Sequence, residues 1–183
     1  MEGDDVISSA AEKAKQIGIP FVAVIQDKDF RQCLLKKRVG MYNKPQKQPW
    51  RFFSQEMAEA DWGIPISKCI EWQCLVGDTV DVITGAYGIG PDKATKYLNQ
   101  YGDIATLYEN LSELPLKKQE SLKNFEERLD TVRQLVTLRT DVGDFSDLGS
   151  YKTSNIRVNK EELRKFLSKH DLSQMYVGIL EIF

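Results

Sequence analysis

Apolar positions change period along the chain, and the changes mark its elements. Val6, Ala10, Ala11 and Ala14 recur at helical spacing behind Asp4 and Asp5, which are candidate caps, and Gly18 stops the run before an apolar stretch over 19–25. This predicts a helix and then an apolar strand over 19–25, an αβ unit that ends at Asp27. A short helix over 30–35, a strand over 38–42 and a polar loop over 43–49 are expected next. From Ser54 the spacing is helical as far as Gly63, and a further helix over 66–75 ends at Gly77-Asp78. A loop through Gly90 is expected next, and Pro91 and Gly102 then bracket a helix over 91–101, with proline at its first position and glycine past its end. Leu122, Phe125, Leu129, Val132 and Leu135 then form the apolar stripe of a longer helix over 117–138. Residues 140–154 read as irregular, and two short helices close the chain. A boundary is expected after residue 63, between an α/β part over 1–63 and a helical lobe over 64–183.

At 183 residues and 42% hydrophobic content, the chain is long enough to bury one sizeable core with a smaller lobe attached. A formal net charge of -2 decides little about nucleic acid, because acidic clusters that bind metal mask basic residues in a simple sum. Cys33, Cys69 and Cys74 lack the paired spacing of a zinc site and read as free thiols in a reducing compartment. The start of the chain has no positive and then apolar leader, and no stretch approaches the ~20 apolar residues of a membrane span. A cytoplasmic location with no membrane partner is the expectation. His170, the only histidine, reads as a surface residue, and Trp50, Trp62 and Trp72 read as packing. Lys36-Lys37-Arg38 fits either a solvated face or a phosphate-facing patch. No Ser/His/Asp or Cys/His arrangement and no Walker loop occurs in the sequence.

The candidate chemistry is acidic. Glu2, Asp4 and Asp5 cluster at the start, Asp27 and Asp29 follow the first strand, and Asp78 and Asp81 follow the helix over 66–75. Ligands gather at the carboxyl ends of strands in α/β sheets, which is where Asp27 and Asp29 fall. Taken alone, Asp27-Lys28-Asp29 reads as no more than a helix cap and a turn acid. Recurrence points to metal, because converging carboxylates repel one another without a cation, and hard cations such as Mg2+ take oxygen ligands. Downstream, Gly85-Ala86-Tyr87-Gly88-Ile89-Gly90-Pro91 forms a tight turn into a helix, with Lys96 one turn along. Glycine permits close approach, and the helix start presents unpaired N–H groups to an anion such as DNA phosphate. Contacts of that kind carry no base information.

Together, Glu2-Gly3-Asp4-Asp5-Val6, Asp27-Lys28-Asp29, Gly77-Asp78-Thr79-Val80-Asp81 and Gly88-Ile89-Gly90 resemble the 5′ nuclease, or flap endonuclease, family. Within it they are most like the 5′-3′ exonuclease domain of bacterial DNA polymerase I. The likeness extends to 135–141, similar to the segment closing the family's long helix, and to the tail over 163–183. It implies an α/β fold with a truncated central mixed sheet flanked by helices, and a C-terminal helix-hairpin-helix lobe that grips DNA. The implied reaction is hydrolysis of DNA phosphodiesters near a 5′ end, flap or nick, as in replication and repair. Two divalent ions, Mg2+ or Mn2+, about 4 Å apart would assist it. Asp4, Asp27, Asp29 and Asp81 are the implied catalytic ligands of one ion. Glu2, Asp5 and Asp78 are implied to be shared or to orient waters and ligands. Gly85, Gly88, Ile89, Gly90, Lys93 and Lys96 are the implied DNA contacts, with a monovalent cation at the hairpin.

The chain also departs from the family. Val82 stands where the family has Asn, Thr84-Gly85-Ala86 where it has Pro-Gly-Val, and Asp92 where it has the hairpin lysine, with Lys93 displaced by one. Family members begin well upstream, with further metal-site aspartates and a basic helical arch. The two-metal site is therefore expected to be incomplete and the activity of the isolated chain feeble. An upstream nuclease segment or a DNA polymerase is an expected partner, and a non-catalytic DNA-binding module is the alternative function.

Overall fold

A computed structural model describes residues 2–35, 38–43, 51–150 and 159–170. The chain divides into a compact unit over residues 1–145 and a second over 146–183. In the first, helix α1 (Gly3–Gln16) leads to strand β1 (Phe21–Val24), a 3-10 helix (Asp29–Leu35) and strand β2 (Val39–Asn43). Strand β3 (Arg51–Phe53) and helix α2 (Gln55–Trp62) complete this part. The sheet is mixed: β1 runs parallel to β2, with Val22 opposite Gly40, and β2 antiparallel to β3, with Tyr42 opposite Phe52. Its buried side packs Phe30, Met41, Phe53 and Ala58 together with Ala11 of α1. The small side chains Ala10, Ala11 and Ala14 are buried on α1, which lets that helix lie close to the elements it covers.

A second core cluster is built from later elements. A 3-10 turn (Ile66–Lys68) enters helix α3 (Cys69–Val76), followed by the short antiparallel strands β4 (Gly77–Asp78) and β5 (Ile83–Thr84). Helices α4 (Pro91–Tyr101), α5 (Ile104–Glu109) and α6 (Leu116–Val136) surround Leu75, Leu98, Ile104, Leu107, Leu122 and Phe125, all buried. The two clusters interleave around residue 63, since Ile66 and Cys69 pack with the first and Ile64 with the second. Trp62 and Trp72 stack with centroids 5.2 Å apart, and Trp72 Nε1 donates to Thr95 Oγ1 at 3.0 Å, so both serve packing. The second unit holds a 3-10 turn (Leu148–Ser150) and helix α7 (Lys160–Lys169), where Asn159 accepts from the N–H groups of Glu161 and Glu162. No described helix is long and apolar enough to cross a membrane.

Helix ends follow local chemistry. Ser54 Oγ caps α2 by accepting from Met57 N–H at 3.4 Å, and Gly63 closes it with φ +68°. Two expectations need correction. Asp4 and Asp5 lie inside the first turn of α1 and do not cap it, because Glu2 holds the cap position and Asp5 Oδ1 accepts from the distant Arg139 N–H at 3.0 Å. The turn after Gly77 is not a simple loop, since β4 and β5 pair across it. The strand over Arg51–Phe53 is a further addition. Most of the polar loop expected over 43–49, Lys36 and Lys37, Trp50 and the tail beyond residue 170 lie outside the described residues.

Candidate metal centre and nucleic-acid interface

Three acids meet closely. Carboxylate oxygens of Asp29, at the start of the first 3-10 helix, Asp78 of β4 and Asp81 at the hairpin tip lie within 4.8 Å of one another. Asp78 is buried, Asp29 half-buried and Asp81 exposed. Lys28 Nζ is hydrogen-bonded to Asp78 Oδ2 and lies 3.5 Å from Asp29 Oδ1, so the chain carries its own counter-ion among these acids. Burial alone would raise the Asp78 carboxyl. The hydrogen bond from Lys28, the N–H of Val80 at 2.9 Å and the Lys28 charge outweigh it and hold the group below its ordinary value. At Asp29 burial wins, helped by the charges of Asp27 and Asp78 against the opposing pull of Lys28, and the carboxyl is raised.

The N-terminal acids belong to the same electrostatic neighbourhood. Partial burial, and then the charges of Asp27, Glu2, Asp5 and Asp81, raise the Asp4 carboxyl. Asp27 lies outside the close trio, and its Oδ1 accepts from Asp29 N–H at 2.8 Å, as a turn acid does. The close set is thus Asp29, Asp78 and Asp81. Asp4 and Asp27 stand beside it, and Asp5 is tied to the segment following α6. An oxygen-only set of carboxylates suits a hard divalent cation such as Mg2+ or Mn2+. The like charges gathered around Asp4 are what such a cation would relieve.

The glycine turn adjoins this cluster. An open cleft of about 510 Å³ is lined by Asp78 and Val82 together with Tyr87, Gly88, Ile89 and Gly90. A second cleft of about 430 Å³ is lined by Glu2, Asp81, Arg128 and Leu135. Within the turn the residues divide by role. A Cβ on Gly85 would run into the Leu75 carbonyl and the Gly77 nitrogen, so this glycine is required by chain packing. The Ile89 side chain is 3% exposed and anchors the turn in the core. Gly88 has φ +68°, while Gly90 has open space where a Cβ would stand and precedes α4. Lys93 and Lys118 Nζ both donate to the Gly88 carbonyl, at 3.1 and 2.8 Å, which engages that oxygen with two ammonium groups. Lys96 is exposed further along α4, and Asp92 sits in its first turn.

Lys118 and Arg128 were not legible as site residues in the sequence, because both come from α6, where they read as ordinary polar-face positions. Desolvation, and then the neighbouring Lys93 charge, hold the Lys118 ammonium group below its ordinary value.

Comparison with known proteins places this architecture. The family model described as 5′-3′ exonuclease, C-terminal SAM fold, matches residues 64–169, and the chain belongs to the 5′-3′ exonuclease and flap endonuclease family. It is 36% identical over 142 residues to the DNA polymerase I of Rhizobium leguminosarum, covering 77% of this chain and 14% of the polymerase. It is 30% identical over 141 residues to the flap endonuclease Xni of Cronobacter sakazakii, covering 77% of this chain and 55% of the relative. The fold is that of the T5 D15 protein co-crystallised with metal ions, with a TM-score of 0.64 and 20% identity, covering 76% of this chain and 51% of that one. The chain therefore spans about half the length of these nucleases.

Proposed function

We propose that this chain takes part in divalent-metal-dependent hydrolysis of DNA phosphodiesters near a 5′ end, flap or nick. The observation carrying this reading is the convergence of Asp29, Asp78 and Asp81, of which Asp78 also lines the cleft that contains Gly88 and Gly90. Asp29, Asp78 and Asp81 would hold the ion, and Asp4, Asp27, Glu2 and Asp5 would orient its remaining waters. When bound, Mg2+ or Mn2+ supplies Lewis-acid stabilisation of charge developing at the phosphodiester. The chain's own residues position the substrate. The Gly88–Gly90 turn and the start of α4 receive a backbone phosphate, with Lys93, Lys96 and Lys118 opposing its charge. Residues 64–183 are read as the DNA-binding lobe and 1–63 as part of the metal-binding core.

One observation favours a second reading, a structure-specific DNA-binding module without turnover. Lys28 already neutralises part of the acid cluster. A cleavage assay on a 5′-flap duplex with Mg2+ or Mn2+ separates the two, using Asp29→Ala and Asp81→Ala as controls. Feeble metal-dependent cutting that disappears in both variants is the expected result. Salt-dependent flap binding without cutting supports the module, and absence of binding to flap, nicked and duplex DNA overturns both.

A further inference from the structure

Behind the acidic cluster lies a row of side-chain amides with no part in the chemistry above. Gln73 of α3 is 1% exposed, and its Nε2 donates to Asp29 Oδ1 at 2.5 Å. Its Oε1 accepts from Gln32 Nε2 at 3.1 Å. Gln32 is fixed by main chain at both ends of its amide. Nε2 also donates to the Val136 carbonyl at 2.7 Å, and Oε1 accepts from Leu138 N–H at 3.2 Å.

This row has a direction. A glutamine amide can turn over when its partners both donate and accept, but a main-chain carbonyl only accepts and a main-chain N–H only donates. Val136 and Leu138 therefore leave Gln32 a single orientation. With that orientation set, Gln73 must present its oxygen to Gln32 and its NH2 to Asp29, whose carboxylate only accepts. Every group is satisfied in this arrangement, and reversing either amide leaves buried donors facing donors. Lys28 approaches the same oxygen, Asp29 Oδ1, at 3.5 Å. Oδ2 is the oxygen the row leaves for a cation.

We propose that Gln73 is a positioning residue for Asp29, held in its donor orientation by Gln32 and, through Gln32, by the main chain where α6 ends. This rests on the reading of Asp29, Asp78 and Asp81 as a divalent-cation site. The same short segment also reaches the acids of α1, since Arg139 N–H donates to Asp5 Oδ1 at 3.0 Å and Ser8 Oγ is hydrogen-bonded to the Arg139 carbonyl. The end of α6 thus ties together two of the three stretches that supply carboxylates. Loss of a partner that orients a metal ligand costs roughly 10–100-fold in metal affinity.

The test is Mn2+ binding by the full chain, followed by electron paramagnetic resonance, with thermal unfolding in EDTA measured separately. Gln73→Met removes the donor and keeps the volume. It is expected to weaken Mn2+ binding about tenfold or more. Gln32→Met frees the Gln73 amide to turn over and is expected to weaken binding by a smaller factor. The double variant is expected to bind no more weakly than Gln73→Met, because the two residues act in series. A purely structural role shifts the unfolding temperature and leaves Mn2+ affinity alone, so wild-type affinity in Gln73→Met overturns the proposal, as do losses that multiply in the double variant. Should Gln73→Met fail to fold, unchanged affinity in Gln32→Met overturns it equally. A wild-type chain that binds no Mn2+ removes the site reading itself and the positioning role with it.

Discussion

The Lys28 ammonium group is hydrogen-bonded to the Asp78 carboxylate, within the acid trio that a divalent ion would occupy. The Asp78 side chain is 4% exposed and that of Lys28 44% exposed, so the carboxylate depends on this partner more than the lysine does. Lys28→Met leaves a buried carboxylate facing Asp29 and Asp81 without its cation. The expected outcome in EDTA is a loss of about 1.5–3 kcal/mol in unfolding free energy, the range for a lost hydrogen bond to a charged group. In Mg2+ the deficit is expected to shrink, because removing a positive charge from the site favours a divalent cation. Urea unfolding with and without metal checks both halves. A variant as stable as wild type in EDTA contradicts the counter-ion role.

Val82 holds φ +59° at the tip of the β4–β5 hairpin and is 87% exposed. A β-branched residue is strained in this left-handed region, where Asn is tolerated. The Asn that the family resemblance implies at this position would thereby have a physical reason. Val82→Asn loses little packing, and an increase of roughly 1 kcal/mol in stability is expected from the relief of strain. Val80→Asn, equally exposed but not at positive φ, serves as the control and is expected to stay within about 0.5 kcal/mol of wild type. Equal effects at both positions contradict the strain argument.

These residues also show what sequence can and cannot report. The Pro91–Tyr101 helix is legible residue by residue because proline and glycine act locally at its two ends. Strands β4 and β5 are not, since two residues each carry no alternation and their pairing depends on contact across the turn. The acids are legible as clusters, but their grouping is not. Which carboxylates come closest depends on Lys28 reaching Asp78, 50 positions away, and on Gln73 reaching Asp29, 44 positions away. Gln32, Gln73 and Lys118 leave no periodic or compositional trace. Their roles exist only once α3, α6 and the first 3-10 helix are packed.

The two glycines at either end of the turn are expected to respond oppositely. Gly85→Ala places a methyl group against the Leu75 carbonyl and the Gly77 nitrogen, backbone atoms that cannot step aside. A loss of about 1–3 kcal/mol or more is expected, in the range for overpacking. Gly90→Ala meets open space at an ordinary φ of -90° and is expected to unfold like wild type. Gly90→Asp is expected to fold as well while losing DNA binding, since it adds negative charge at the start of α4. Thermal melts beside flap-binding titrations distinguish these outcomes, and retention of full binding by Gly90→Asp contradicts the phosphate role of the turn.

Burial pushes the Cys69 and Cys74 thiols up to about 12. With folded values above the ordinary 9.0, the folded chain keeps these protons where the unfolded chain has lost them. Their contribution to stability is complete below pH 9 and is lost as pH rises toward 12. Alkylation at pH 8 is therefore expected to be slow at Cys69 and Cys74 in the folded chain and complete after unfolding, as read by mass spectrometry. Rapid labelling of either thiol in the folded state contradicts this burial.

The metal centre itself is tested most directly by anomalous diffraction from crystals of the chain soaked in Mn2+. An anomalous peak is expected among the carboxylates of Asp29, Asp78 and Asp81, with the Lys28 ammonium group displaced from Asp78 and no peak there in Asp81→Ala. Crystals that are saturated with Mn2+, show no peak at these three carboxylates and retain the Lys28–Asp78 hydrogen bond would contradict the central claim.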